Sequence, residues 1–349
     1  MSFWRGRRVL LTGHTGFKGS WLALQLIELG ADVAGYADGV PTEPSLYELA
    51  EVAQDVTSVT GDVRDAELLR ATVAEHRPEV VFHLAAQPLV RASYDDPAGT
   101  FAVNVMGTVN VLEAVRAVGG VRVVVNVTTD KVYAPHVGSA AYTESEPLGG
   151  HDPYSTSKAA SELVTASYRL SFAGNATLAT ARAGNVIGGG DWAADRLIAD
   201  LMRGALAGEP VVVRNPGAVR PWQHVLNANS GYLLLAEKLW DDPSLAGAWN
   251  FGPDADDAVD VRTIVARLSE LWGDDIELRS ADAAQPHEAE TLRLDSSRAR
   301  SALGWLPYWD LDRALTSIVD WYRVYAARGA IRDATLAQIR DYGHAPVTR

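Results

Sequence analysis

The sequence predicts an α/β protein in which a doubly wound parallel sheet is followed by a smaller C-terminal α/β lobe. Over about the first half of the chain, short apolar runs alternate with helix-like segments. Strands separated by helices in this rhythm form a parallel sheet covered on both faces. After residue 185 the alternation weakens at a glycine-rich stretch, and the following segments are interrupted by proline. A chain of 349 residues is long enough for such a second lobe.

Apolar periodicity and glycine punctuation define the individual elements. The predicted strands cover residues 9–12, 32–36, 80–84 and 121–127, and the predicted helices cover 21–30, 66–76, 104–118 and 154–172. We place a domain boundary near residue 185. The first domain is therefore 1–185 and the second lobe 186–349, with some segments of the second returning to the first.

Composition and charge narrow the classes of partner. A net charge of -13 argues against nucleic-acid binding, which depends on clustered Lys and Arg. The chain has no cysteine, which favours a reducing compartment. The N-terminal residues lack the apolar stretch of a signal peptide, and no later run is expected to reach membrane-spanning length. We expect a cytoplasmic protein with neither a nucleic-acid nor a membrane partner.

A glycine-rich loop follows the first predicted strand. Gly13, Gly16 and Gly19 stand at three-residue spacing directly before a predicted helix. A helix N-terminus offers unpaired N–H groups and a positive dipole end, and glycines let a pyrophosphate approach them. The spacing alone fits a plain strand-to-helix turn equally well. Its position after the first strand favours a Rossmann-like dinucleotide-binding domain.

The acid that should bind the adenosine ribose is harder to place. Asp38 lies near the expected position, but Tyr36 and Ala37 occupy the end of the second strand. No arginine stands there to accept a 2′-phosphate, so the sequence favours NAD over NADP. Asp62 offers a second acid, directed towards the adenine. Alternatively, Asp62 or Asp65 caps the following helix.

A tyrosine and a lysine one helical turn apart form the candidate catalytic pair. Tyr154 and Lys158 project from one face at the start of a predicted helix. A cation beside a tyrosine favours the phenolate, which makes the tyrosine a usable base or acid. Thr129 ends the preceding apolar strand, where ligands bind in α/β folds. The three side chains are therefore expected to converge.

These motifs resemble the extended short-chain dehydrogenase/reductase superfamily. The matching segments, in order from residue 8 to about 320, include the glycine loop, HLAAQ at 83–87, NVMGTVN at 104–110, Thr129 and the Tyr154/Lys158 pair. The resemblance implies bound NAD, a nucleotide-sugar substrate, and a homodimer formed through helices 104–118 and 154–172. The implied cofactor-binding residues are Gly13, Thr15, Gly16, Phe17, Gly19, Asp62, Val63, Leu84, Ala85, Ala86, Asn104, Tyr154 and Lys158.

Longer strings are similar to the CDP-glucose 4,6-dehydratase family. They include GHTGFKGSW at 13–21, FHLAAQPLVRASY at 82–94, ARAGNVIGGGDW at 181–192 and RNPGAVRPWQHV at 214–225. The resemblance implies that Tyr154 takes the C4 hydroxyl proton while hydride passes to NAD, with Thr129 and Lys158 fixing the geometry. Water is then lost across C5 and C6, with Asp130 as the acid, and hydride returns to C6. The implied substrate is CDP-D-glucose and the product CDP-4-keto-6-deoxy-D-glucose.

The Asp130-Lys131 pair leaves two alternatives for each residue. Other sugar dehydratases resembling this chain carry Asp-Glu at these positions. Asp130 is either the general acid or a cap of a turn or helix. Lys131 is either the C5 base, which requires burial to lower its pKa, or a solvated surface lysine. Successive residues of a strand point to opposite faces of the sheet. Asp130 and Lys131 can therefore act at the same site only if the strand has ended before Lys131.

The candidate substrate residues follow from the same resemblance. Arg220 precedes Pro221-Trp222 and resembles the family's clamp for the nucleotide diphosphate, a role that a guanidinium fork suits. The further candidates are Gln87, Asn185, Arg214 and His287. No metal-ligand spacing is present, so we predict no metal.

Two other functions stay open at this point. A nucleotide-sugar 4-epimerase needs the same Tyr/Lys pair but no acid at position 130. A dehydratase for a different nucleotide sugar is also compatible, since residues 132–143 diverge from the dehydratase pattern. A non-catalytic NAD-binding sensor is the alternative from another class, although it has little need for Thr129, Tyr154 and Lys158 together.

Overall fold

The computed structural model describes residues 3–135, 138, 140–172, 174–213, 215–273, 276–280 and 292–343. The strands are β1 Arg8–Thr12, β2 Asp32–Ala37, β3 Thr57–Thr60, β4 Val80–His83, β5 Val123–Val127, β6 Thr177–Arg182, β7 Val186–Ile187, β8 Val211–Val213, β9 Val219–Pro221, β10 Gln223–His224, β11 Ala248–Asn250, β12 Ala258–Asp260 and β13 Leu278–Ser280. The α-helices are α1 Phe17–Glu28, α2 Leu46–Leu49, α3 Ala66–His76, α4 Val90–Asp95, α5 Pro97–Phe101, α6 Gly107–Val118, α7 Pro153–Ser171, α8 Leu197–Ala207, α9 Val225–Asp241, α10 Val261–Trp272, α11 Leu311–Ala326 and α12 Ile331–Gly343.

A seven-stranded parallel sheet forms the centre of the molecule, in the order β11-β6-β5-β4-β1-β2-β3. Strand residues alternate between its two faces. Val9 and Leu11 belong to one core, whereas Leu10 between them belongs to the other. Helices α1 and α9 cover the first face, and α3, α6 and α7 cover the second. The predicted Rossmann-like, doubly wound sheet is confirmed.

The second lobe is built from small sheets and helices around the carboxyl ends of the central strands. It contains three two-stranded sheets, β7 with β10, β9 with β12, and β8 with β13. The predicted boundary near residue 185 falls just after β6. Beyond it, α9 packs on β5 and β6, and β11 pairs with β6 as the edge strand of the central sheet. Two segments of the C-terminal half thus pack on the central sheet or pair with it, and the division into two domains stays a prediction.

The sequence prediction missed three strands of the central sheet, β3, β6 and β11, and the physical reasons differ for the two edge strands β3 and β11. β3 has the polar sequence TSVT and is largely exposed at the other edge of the sheet, so it has no apolar run. β11 has only three residues, and its partner β6 lies far away in the chain. In addition, α1 begins at Phe17, directly after the last residue of the turn, rather than at residue 21.

The segment Pro97–Val118 contradicts the expectation that no run has membrane-spanning length. These 22 residues form one helix, with a π-helical turn at Ala102–Met106, and by length and composition alone it is apolar enough to cross a membrane. In the fold it packs against α3 and α7. Its side chains Val111, Leu112 and Val115 are buried in the core beneath the sheet. This apolar side therefore belongs to the protein's own core.

Candidate active site

A cleft of about 590 Å³ opens at the carboxyl ends of the central strands, between the sheet and the second lobe. This is where ligands bind in doubly wound α/β folds. Most of the predicted site residues meet there. Those lining the cleft are Gly13, Thr15, Gly16, Phe17, Gly19, Asp62, Val63, Leu84, Ala85, Ala86, Thr129, Asp130, Lys131, Tyr154, Lys158, Asn185 and Arg220.

The glycine loop brings the backbone of α1 to the cleft without side chains in the way. Gly13 has φ +76°, and a Cβ there would lie 2.7 Å from the Ala85 nitrogen. A Cβ on Gly19 would lie 2.0 Å from the Gly13 oxygen. Gly16 is the N-cap of α1, and no side chain caps that end. The first N–H groups of α1 are therefore available to an anion, so the loop fits the pyrophosphate of a dinucleotide.

The two acids after β3 have different roles. Asp65 caps α3, since its carboxylate accepts from the Leu68 nitrogen at 3.0 Å. Asp62 lies on the cleft, where the Arg64 guanidinium donates to it at 2.9 Å and lowers the pKa of the carboxyl. The cap considered for Asp62 thus belongs to Asp65. Asp38, near the end of β2, also lines the cleft.

Asn104 and Gln87, which the sequence assigns to ligand binding, do not line the cleft and are held by hydrogen bonds within the protein. The Asn104 amide accepts from the Gln87 nitrogen at 2.9 Å and donates to the Ser157 hydroxyl at 2.8 Å. The Gln87 side chain donates to the Leu89 oxygen and the Thr100 hydroxyl, both at 3.0 Å. These bonds connect the loop after β4 with the segment Pro97–Val118 and with α7, and the ligand-binding role of both residues stays a prediction.

The chain leaves the sheet before the Asp-Lys pair. β5 ends at Val127, and a 3₁₀ turn follows at Asp130–Val132. Thr129 is the N-cap of this turn, so capping does not explain Asp130. The Thr129 hydroxyl and the Lys131 ammonium donate to Asp130 Oδ1 at 3.0 and 3.2 Å. Asp130 Oδ2 is buried and has no hydrogen-bond partner among the described residues. One carboxylate oxygen is therefore held by two donors, and the other is buried beside the cleft without a partner among the described residues.

Helix α7 presents Tyr154 and Lys158 to the same part of the cleft. The Asp152 carboxylate caps the helix by accepting from the Ser155 nitrogen. Burial raises the pKa of Tyr154, whereas the Lys131 ammonium, the Thr129 side chain and the more distant Arg196 guanidinium lower it. Lys158 donates to the Val127 oxygen at 3.1 Å, and burial lowers its pKa to about 8.

This electrostatic arrangement corrects the sequence argument about the tyrosine. We expected the lysine of the pair to move Tyr154 towards the phenolate. In the structure the net pKa shift of Tyr154 is upward, because burial outweighs the charges, and the cations that oppose it are Lys131 and Arg196. Lys158 instead tethers α7 to the end of β5.

The second lobe contributes the candidate substrate residues. Arg220 lies on β9 with only 8% exposure, and its guanidinium donates to the Val219 oxygen at 3.0 Å. Asn185 has φ 44°, and its side-chain oxygen is buried without a hydrogen-bond partner in the described part of the chain. Arg214 and His287 lie outside the described residues. Within the described ranges, no group of three or more His, Asp or Glu side chains is arranged to hold a metal.

Comparisons with known proteins agree with this geometry. The family described as GDP-mannose 4,6 dehydratase matches residues 10–318. The chain belongs to this family. The CDP-glucose 4,6-dehydratase of Salmonella typhimurium is 48% identical over 349 residues, which cover 98% of this chain and 97% of the relative.

Solved structures also share the architecture of this 4,6-dehydratase family member. DesIV, a dTDP-glucose 4,6-dehydratase of Streptomyces venezuelae determined with NAD and TYD bound, has a TM-score of 0.81 at 25% identity and covers 93% of this chain and 99% of its own. The UDP-glucose 4-epimerase of Thermotoga maritima has a TM-score of 0.81 at 24% identity, with 91% and 99% covered, and this likeness concerns the fold alone.

Sequence reasoning missed a partly buried lysine on the cleft floor. Lys18 lines the cleft, and its ammonium donates to the Tyr232 hydroxyl at 3.4 Å. Burial, together with the positive charges of Arg196 and Lys158, lowers the pKa of Lys18 to about 7. The sequence signal was a lysine in the first turn of α1, between residues that the protein buries.

Sequence reasoning also missed a buried ion pair behind the catalytic residues. Glu162 follows Lys158 by one turn of α7. Its carboxylate accepts from the Arg182 guanidinium at 3.0 and 2.9 Å, from the Thr128 hydroxyl at 2.5 Å and from the Thr180 hydroxyl at 2.6 Å. Arg182 also donates to the Tyr133 hydroxyl at 2.9 Å. No sequence motif links these residues, since they come together only when β5, β6 and α7 pack.

Replacing Glu162 tests how strongly this ion pair supports the fold. Glu162→Gln leaves the Arg182 guanidinium buried without a counter-charge, so we expect the free energy of unfolding in urea to fall by about 3–5 kcal/mol. The matched control is Glu113→Gln, which removes a largely exposed ion pair with Arg116. This control should change stability by at most about 0.5 kcal/mol. Equal losses in the two variants would contradict the assignment.

Replacing Lys18 tests the cost of burying its ammonium. Because its pKa of about 7 lies below the ordinary 10.5, the unfolded chain binds more protons between these pH values, and wild-type stability rises with pH across that window. Lys18→Met lacks this dependence. Without ligands it should be more stable than wild type by on the order of 1 kcal/mol at about pH 6, and by less at about pH 9.

The control for this pH profile is Lys238→Met on α9, where the lysine is exposed. It should follow wild type in urea unfolding at each pH. A stability gain in Lys18→Met that does not change with pH would show that the gain comes from packing rather than from the ammonium charge.

Proposed function

We propose that this protein is an NAD-dependent nucleotide-sugar 4,6-dehydratase that converts CDP-D-glucose to CDP-4-keto-6-deoxy-D-glucose. The observation that carries the proposal is the position of Asp130, whose unpartnered, buried Oδ2 lies on the same cleft as Tyr154 and Lys158. An acid beside a tyrosine is what an oxidation coupled to loss of water requires. The 48% identity to a CDP-glucose 4,6-dehydratase over 98% of the chain supports both the dehydration reaction and cytosine as the nucleobase of the substrate.

NAD fits the first-domain side of the cleft. The open N-terminus of α1 suits its pyrophosphate, and Gly16 places no side chain there, while Gly13 and Gly19 let the loop pack tightly on Ala85 and on itself. Asp38 and Asp62 line the part of the cleft at the ends of β2 and β3, on the adenosine side. When bound, the dinucleotide supplies reversible oxidation at a sugar carbon. The related DesIV structure, which contains NAD, is consistent with this site.

Tyr154 accepts the proton of the C4 hydroxyl during the oxidation. Burial disfavours its phenolate, and the positive charges of Lys131 and Arg196 offset part of this cost. The Thr129 side chain also lowers the pKa of Tyr154 and so favours its ionised form. Lys158, held by the Val127 oxygen, fixes the helix that carries Tyr154. Because only the phenolate accepts a proton, these neighbours support the role of Tyr154 as the base.

Asp130 donates the proton to the departing C6 hydroxyl. Its Oδ1 is held by Thr129 and Lys131, so Oδ2 has a defined direction and no competing partner among the described residues. The Lys131 side chain is 33% exposed and its ammonium is paired with Asp130. When a proton passes from this ammonium to Asp130, the neutral amine takes the C5 proton while Asp130 protonates the departing C6 hydroxyl. A C5=C6 double bond then forms, water leaves, and the two residues return to their ion pair.

The nucleotide diphosphate is assigned to the second lobe. Arg220 supplies a buried guanidinium, and Asn185 an unpartnered amide oxygen that suits a ribose hydroxyl. Contributions from Arg214 and His287 remain predictions from the sequence. A 4-epimerase has no use for Asp130, and a non-catalytic NAD sensor has no use for the assembled Thr129, Tyr154 and Lys158.

The function is tested by incubating the protein and added NAD separately with CDP-, dTDP-, UDP- and GDP-glucose and following the products by mass. We expect loss of one water from CDP-glucose alone. Asp130→Asn should lower kcat by about 10²–10⁴-fold with little change in KM, since it removes only the acid. An unchanged mass with all four sugars, or full activity in Asp130→Asn, would contradict the proposal.

We also propose that the protein is a cytoplasmic homodimer. The absence of cysteine suits a reducing compartment. The neighbouring segment Pro97–Val118 and helix α7 carry exposed apolar side chains, with Met106 51% and Leu163 59% exposed. Apolar side chains left on adjacent helices favour a protein partner, and the superfamily resemblance implies that the partner is a second copy.

The dimer is tested by sedimentation. Leu163→Glu places a charge on the proposed interface and should convert the dimer to a monomer. Leu278→Glu alters an exposed leucine on β13 of the second lobe and should leave the dimer intact. A monomeric wild type, or dissociation in both variants, would contradict this interface.

A further inference from the structure

We propose that Gly184 is a positioning residue for the dehydration, because its missing side chain creates the space that holds the Asp130 carboxylate. The inference rests on the proposed function of Asp130 as the acid. Gly184 follows the end of β6 and lines the same cleft as Asp130. It lies within the string ARAGNVIGGGDW at 181–192, but the sequence did not single it out as a site residue.

The carboxylate of Asp130 lies directly against the Gly184 α-carbon. A Cβ at residue 184 would lie 1.7 Å from Asp130 Oδ2, 2.0 Å from Cγ and 2.6 Å from Oδ1. The three nearest atoms therefore all belong to this carboxylate, and each lies below the 3.0 Å that real Cβ contacts respect. Asp130 itself has no exposed surface, so it has little room to move aside. Any side chain at 184 displaces the acid.

Backbone conformation does not explain this glycine. The φ of Gly184 lies outside the left-handed region, unlike that of the neighbouring Gly190 at +79°. Alanine can therefore adopt the same backbone. What residue 184 provides is space, and the group that uses this space is the Asp130 carboxylate.

The displacement should act on the elimination more than on binding or C4 oxidation. A general acid must lie within hydrogen-bonding reach of the leaving oxygen, about 2.6–3.2 Å away. A misplacement of about 1 Å in such a group costs on the order of 10²-fold in rate. In contrast, Tyr154 and Lys158 are carried by α7, and the nearest contacts of residue 184 do not include them.

A double-mutant cycle separates this role from a general structural effect. Gly184→Ala should lower kcat for water loss by on the order of 10²-fold, with KM within about threefold of wild type. Reduced cofactor, seen by its near-ultraviolet absorbance with CDP-glucose, should still form. Asp130→Ala removes the three clashing atoms, so adding Gly184→Ala to it should cause no further loss of kcat. Gly217→Ala, where a Cβ has no neighbour within 4 Å, is the matched control.

The same cycle has a readout that does not depend on activity. Gly184→Ala should lower the melting temperature in the wild-type background and leave it unchanged in the Asp130→Ala background. Additive losses of kcat or of melting temperature would overturn the proposal, as would full dehydratase activity in Gly184→Ala. If the wild type dehydrates no sugar nucleotide, the proposed function fails, and the melting-temperature cycle still decides whether Gly184 accommodates Asp130.

Discussion

The junction of β5, β6 and α7 depends on one buried ion pair, Glu162 with Arg182. Burying two charges is costly unless each is fully hydrogen bonded. Here the carboxylate accepts from the guanidinium and from the hydroxyls of Thr128 and Thr180. Thr128 directly precedes Thr129, which is proposed to act in catalysis. The pair therefore fixes the end of the central strand relative to the helix that carries Tyr154.

The network extends from this junction to the wall of the cleft. Arg182 donates to the Tyr133 hydroxyl, which in turn donates to the Asn250 side chain at 2.6 Å on β11. Tyr133 stacks on Tyr142 with ring centres 4.7 Å apart. Both rings line the cleft near Lys131. Strand β11 comes from the C-terminal half of the chain, and through Asn250 it supports the cleft wall at Tyr133.

Several positively charged side chains line the cleft of this acidic protein, and they change the pKa values of neighbouring groups. The positive charges of Arg196 and Lys158 lower the pKa of Lys18, and burial lowers the pKa of both lysines. At Tyr154 the cations that oppose the effect of burial are Lys131 and Arg196. They favour a phenolate that burial disfavours. Keeping Lys18 and Lys158 charged inside the protein lowers the stability of the fold. Proteins commonly give up stability in this way at functional sites.

Local patterns predicted the parts of the fold that depend on local sequence. The apolar strands β1, β4 and β5, the glycine loop and the Tyr154/Lys158 turn all follow from short-range periodicity and spacing. Strands β3 and β11 were not predicted, because neither has an apolar run of its own. β3 is an exposed edge strand, and the short β11 pairs with a strand far away in the chain. The hydrogen bonds that hold Gln87 and Asn104 within the protein were not predicted, because partners such as Thr100 and Ser157 lie elsewhere in the chain. Lys18, the ion pair of Glu162 and the space at Gly184 arise only from contacts between distant segments.

The most direct test of this account follows one hydrogen through the reaction. CDP-glucose carrying deuterium at C4 is converted by the protein with added NAD in ordinary water, and the product is examined by mass and NMR. The account predicts that the product retains the deuterium at C6, because oxidation, water loss and reduction occur within one cleft. Loss of the deuterium to solvent, or a product with deuterium still at C4, would contradict it.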